Sequence, residues 1–203
     1  MNRKVKEDRY FEKSLNLPFV DRLIYFVILI LIVGTPTVFY RSIFYSFYLP
    51  QLTIFWIFGF LTLLLFIYKI FSTGKVRKLP FLFSISLFFF VFALFMVSIF
   101  SELTWVSFTG LNARGAGAVS YLLCVAILIS VFQLGQRSNL QIFIKFLSIT
   151  HVLVAGYAVI QKFDLDPIAW GTETEFVGTQ IFSTLGNSNF SAGYLVSTFP
   201  LLV

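Results

Sequence analysis

Residues 182–195 read F-S-T-L-G-N-S-N-F-S-A-G-Y-L. They lead from a polar turn directly into an apolar helix. Gly186 can take a positive φ. Asn187 or Ser188 can cap the helix, Asn189 can both donate and accept hydrogen bonds, and Gly193 leaves room for a neighbouring backbone. A helix start that meets water presents unpaired N–H groups and the positive end of the helix dipole. The chemistry this suits is the holding of a phosphorylated or polyhydroxylated substrate. A capped helix with nothing bound accounts for the same residues.

A second set lies in residues 101–115, S-E-L-T-W-V-S-F-T-G-L-N-A-R-G. Its cation is Arg114, followed by Gly115 and Gly117. A guanidinium matches phosphate oxygens in bidentate fashion, and such a contact contributes roughly 1.5–3 kcal/mol. An arginine that merely reaches from a helix start into water fits the position too. Trp105 suits a membrane interface.

The connection over residues 161–188 carries Asp164, Asp166, Glu173 and Glu175. Paired carboxylates can serve as acid and base or hold a hard cation. The Asp164-Leu165-Asp166-Pro167 run lacks a recognised ligand spacing and the glutamates fit a solvated face, so no metal is expected. Pro167 and Trp170 are expected to anchor this connection on the membrane surface. His151 falls inside an apolar run, where ionisable groups are functional candidates by default. A neutral imidazole bonded to another helix also explains it. No acidic residue lies within a span, which argues against a proton relay. Lys145 is expected to reach the interface as a structural residue. Nothing in the sequence calls for a cofactor.

The elements that must position these groups are membrane spans. Hydrophobic residues make up 58% of the 203 positions and charged residues 12%. Mean hydropathy is +0.89. Soluble domains carry roughly 25% charged residues, so the solvent for these side chains is lipid. The expected fold is all-α, a multi-pass transmembrane helix bundle. Apolar runs at 23–40, 53–71, 80–100, 116–135 and 140–160 are each long enough to cross the bilayer. A sixth begins near Asn189 and is still apolar at Val203. The expectation is five full spans plus a truncated sixth, with the chain a part of a longer protein. Residues 1–22 then form a basic tail and 23–203 the transmembrane region.

Basic residues set the orientation. Arg3, Lys4, Lys6, Arg9, Lys13 and Arg22 precede the first span; Lys69, Lys75, Arg77, Lys78 and Arg137 fall on the same side. Only Arg41, Arg114 and Lys162 fall opposite. The N-terminus is expected in the cytoplasm, and the segments bearing Arg114 and residues 164–187 outside. The net charge of +6 follows this topology and does not indicate nucleic acid. The partners expected are membrane lipids and a lipid-borne substrate; protein partners are unspecified. The N-terminus lacks a conventional cleavage site, so the first helix is expected to be retained. Ala116, Ser120 and Cys124 form a small-residue stripe that lets another helix approach. Cys124, the single cysteine, is expected to be a packing residue.

The segment 182–195 resembles the G-N-x-N-[FY]-x-A-x-Y-L signature of the O-antigen ligase and polymerase-like family. Asp166-Pro167 with Trp170 is similar to the D-P segment upstream of it. W-V-S-F-T-G-L-N-A-R-G-A-G resembles the family's W-x-S-x-x-G…R-x-x-G stretch, with Arg114 on the arginine. The resemblance covers about residues 100–200. It implies a bacterial inner-membrane glycosyltransferase in lipopolysaccharide or polysaccharide biosynthesis. Such enzymes move a glycan from a polyprenyl-diphosphate carrier to lipid A core, a polysaccharide or a protein, on the periplasmic side and without a metal ion. It implies that arginines hold the diphosphate; with the helix-start chemistry above, Arg114, Gly186, Asn187 and Asn189 are expected to face a common diphosphate site. The family's catalytic residues lie in a later loop. His151 does not match them, so no catalytic residue is expected in this chain, which alone would be inactive. A transporter or flippase, a purely structural membrane module, and a nonfunctional truncated product are the competing readings.

Overall fold

The computed structural model describes residues 18–43, 45–73, 76–111, 115–135, 137–168 and 181–202, with backbone only at 73, 137 and 138. The described residues form helices and no strand. In chain order these are α1 (Phe19–Thr37), α2 (Tyr48–Thr73), α3 (Phe81–Ile99), α4 (Thr104–Thr109), α5 (Ala118–Gln133), α6 (Arg137–Lys162) and α7 (Ser188–Thr198). Short 3-10 turns occupy Ser183–Leu185 and Phe199–Leu201. Four helices (α1, α2, α3 and α6) are long and apolar enough to cross a membrane, and α5 is a shorter apolar helix of 16 residues.

α2 and α6 run past the apolar stretches that announce them, whereas α3 and α5 end within theirs. α2 begins at Tyr48 and α6 at Arg137, several residues ahead of positions 53 and 140. Backbone hydrogen bonding continues into the polar interface, where hydropathy has already fallen. α4 lies within a segment that the sequence presents as an irregular connection.

The chain divides into two compact units, residues 1–28 with 56–139 and residues 29–55 with 140–203. In the first unit, α3 buries only Ser98. Phe88 and Phe89 are 65% and 61% exposed, as side chains that face lipid must be. α5 packs more closely. A Cβ on Gly59 of α2 would stand 3.2 Å from Leu123 Cδ1, so glycine admits that leucine. Trp56 Nε1 donates to Ser120 Oγ at 3.0 Å. The small-residue stripe thus works through Ser120, while Cys124 is exposed and not a packing residue. Near the start of α1, Asp21 meets Lys69 of α2 in an ion pair of 2.5 Å.

In the second unit, α1 ends in a turn containing Pro36, and residues 38–43 and 45–47 precede α2 as turns and irregular chain. Phe47 is buried between Phe39 and Phe182, each with its ring centroid 5.4 Å away. α6 stops at Lys162. Asp164 takes φ 56°, which lets the Leu165 N–H return to the Ile160 carbonyl at 3.1 Å, a left-handed helix ending.

Candidate functional site

The polar turn that precedes α7 is built largely from hydrogen bonds that reach far along the chain. The Phe182 and Ser183 N–H groups both donate to Gln161 Oε1, at 3.2 and 2.7 Å. The other end of the same amide donates to Asp166 Oδ2 at 3.0 Å. Asp166 also accepts from the Tyr157 hydroxyl, shared between its two oxygens at 3.0 Å, and from Ile168 N at 2.9 Å. Gln161 therefore fixes both ends of the connection between α6 and α7.

Ser183 has φ 52° and no exposure. A non-glycine residue in that region is strained, and its partners hold it there. Its hydroxyl donates to the Val154 carbonyl at 2.7 Å. The Thr184 hydroxyl donates to the Pro36 carbonyl at 2.7 Å, satisfying an acceptor that the end of a helix leaves without an intrahelical partner. The Thr184 carbonyl in turn accepts from Gln51 Nε2 at 2.7 Å. Ser191, on α7, donates to the Phe182 carbonyl at 2.7 Å. Ser183, Thr184 and Ser191 build the turn.

Gly186 has φ 72°, and a Cβ there would lie 2.6 Å from Phe47 Cβ. Both facts require glycine. Asn187 caps α7, its Oδ1 accepting from Asn189 N at 2.8 Å. That cap engages one of the amides the sequence leaves open to an anion. Asn187, Ser188 and Asn189 are exposed, so the Asn189 side chain remains available. Among the described residues, nothing stands within 4 Å of a Cβ built on Gly193, so none of them requires a glycine there.

Arg114 lies outside the described residues, as do Trp170, Glu173, Glu175 and the tail before residue 18. The flanks of Arg114 are described. Gly110 and Gly115 have φ 84° and 48°. A Cβ on Gly117 would fall within 2.3 Å of Gly110 N and Phe108 O. The Gly115 carbonyl accepts from Ser120 Oγ at 2.6 Å, and Ser120 in turn accepts from Trp56. Three glycines and one serine close this loop. Trp105, on α4, is 77% exposed.

His151 Nδ1 lies 2.7 Å from Thr198 Oγ1 on α7. Thr198 Oγ1 also stands 2.8 Å from the Tyr194 carbonyl, so its one proton serves either that carbonyl or the imidazole, according to the histidine tautomer. This is the helix-to-helix bond that the sequence allows for. Among the described residues, no cluster of His, Cys, Asp or Glu could hold a metal ion.

Gln51 and Gln161 carry much of the positioning and were not singled out from the sequence. Each sits at the end of an apolar run, where a glutamine reads as a boundary marker. Their amides, able to donate and accept at once, were the available signal. No family model, curated protein or solved structure matches the chain.

Proposed function

We propose that this chain is the N-terminal part of a membrane glycosyltransferase that moves a glycan from a polyprenyl-diphosphate carrier to an acceptor. The acceptor is a lipopolysaccharide core, a polysaccharide or a protein. In this reading the chain sits in a bacterial inner membrane with its N-terminus in the cytoplasm, five full spans and a sixth beginning at α7. Transfer takes place on the periplasmic side. Residues 182–195 carry the proposal, through their resemblance to the O-antigen ligase and polymerase-like signature. The left-handed Gly186, the Asn187 cap and the exposed Asn189 support it, because they give that segment one held conformation at a helix start.

The leaving group is a diphosphate whose charge grows as the glycosidic bond breaks. Cations and helix N-termini stabilise such charge. Arg114 supplies the cation and residues 186–189 the neutral donors. Replacing Arg114 with Ala in the full-length protein tests this. Transfer of carrier-linked glycan should fall about ten- to a hundred-fold, the loss expected for one charge-assisted contact. Unchanged transfer at equal protein level in the membrane rules the proposal out.

A further inference from the structure

A shallow groove of about 500 Å³ opens in the first unit beside the connection from α2 to α3. Its inner wall is apolar, formed by Phe66, Leu79 and Ile129, and its rim carries Arg77 and Lys78. Phe66 lies seven residues before the end of α2, about 10 Å down the helix axis. The groove therefore runs from the level of the helix ends toward the hydrocarbon.

The rim is held in place. Gln133 accepts from Arg77 N at 2.7 Å and donates to Arg77 O at 2.9 Å, pairing the backbone of an irregular segment as a neighbouring strand would. The Arg77 guanidinium carbon stands 4.9 Å from the centroid of the Phe132 ring, a cation–π distance. Its Nη1 would come 3.2 Å from a Cβ on Gly135, so the missing side chain there makes room for the arginine. The positive-inside tendency explains why cations occur in this connection. It does not explain a clamped backbone and a stacked guanidinium above an apolar trough.

We propose that this groove seats one anionic glycerophospholipid, its phosphate between Arg77 and Lys78 and the start of one acyl chain along Phe66, Leu79 and Ile129. Charge selects the occupant. Two exposed cations at headgroup depth, above an apolar channel, complement a phosphate ester joined to a hydrocarbon tail. A zwitterionic lipid would bring its own cation to the same rim. The assignment requires only a membrane around these helices, and it is independent of the glycan-transfer proposal.

The test is native mass spectrometry of the purified full chain with phosphatidylglycerol, phosphatidylcholine or inorganic phosphate. Phosphatidylglycerol should remain bound and phosphatidylcholine should not. The double variant Arg77→Ala/Lys78→Ala should weaken phosphatidylglycerol binding about ten- to thirty-fold. The charge-matched pair Arg41→Ala/Lys162→Ala should change it less than about three-fold. Ile129→Trp, which fills the trough and keeps every charge, should weaken it as well and covers the case in which the double variant fails to fold. Equal loss in the two charge pairs would reduce the effect to general surface potential and overturn the site. So would equal binding of phosphatidylcholine, full binding by Ile129→Trp, or displacement of the lipid by millimolar inorganic phosphate.

Discussion

Gln161 and Ser183, 22 residues apart in the chain, are joined by a 2.7 Å hydrogen bond from the Ser183 N–H to the glutamine side-chain oxygen. The bond is buried, and Ser183 has a backbone conformation that it would not choose alone. Replacing Gln161 with Leu leaves the Phe182 and Ser183 N–H groups without that acceptor. Each unsatisfied buried donor costs about 1–3 kcal/mol. Gln161→Leu should therefore lower thermal stability by several kcal/mol and expose the Ser183–Leu185 turn to hydrogen exchange before the helices open. Gln161→Glu should not rescue it, because a second carboxylate would face Asp166 where an amide now donates at 3.0 Å.

Asp166 and Gln161 should also prove energetically coupled. Asp166→Ala removes the acceptor for the Tyr157 hydroxyl, the Gln161 amide and Ile168 N. Once Asp166 is gone, Gln161 is less firmly oriented toward Phe182 and Ser183. A double-mutant cycle with Asp166→Ala and Gln161→Leu should give an interaction of about 1–3 kcal/mol, within the range for residues in one network. Additive losses would show that the two ends of the connection are held independently.

Helix content and the long apolar helices follow from composition and run length. The boundaries do not, because hydrogen bonding continues through polar residues such as Gln51 and Arg137 that end a hydropathy run. Gly186 and Asn187 were legible because their roles depend on local backbone chemistry. The roles of Ser183 and Thr184 were not, because their partners, Val154 and Pro36, are distant in sequence. Lys69 shows the same limit from the other side. It counts among the cations that set topology, yet it is buried in α2 against Asp21.

Gly186→Ala should be among the most damaging single substitutions in the second unit. The left-handed conformation alone costs a non-glycine residue about 1–2 kcal/mol. The added methyl would also press on Phe47, whose Cβ, Cγ and Cδ2 stand 2.6–2.7 Å from the new atom. Phe47→Ala should give no rescue. It leaves the Cβ clash in place and opens a cavity beside Phe39 and Phe182. Thermal unfolding of the two single variants and the pair decides the point: recovery in the pair would show that the strain is side-chain crowding alone.

The Asp21–Lys69 pair makes a sharper prediction, because one partner can be removed or both. The side chains are 15% and 9% exposed. Breaking a buried pair by deleting one charge typically costs about 3–5 kcal/mol, whereas replacing both with apolar groups of similar size is often neutral. Asp21→Leu should therefore destabilise strongly, leaving the Lys69 ammonium buried without its carboxylate. Adding Lys69→Met should restore most of the loss. The order of stability expected in thermal unfolding is wild type close to the double variant, and both well above Asp21→Leu. If the double variant were as unstable as the single one, the carboxylate would be needed for more than this ion pair.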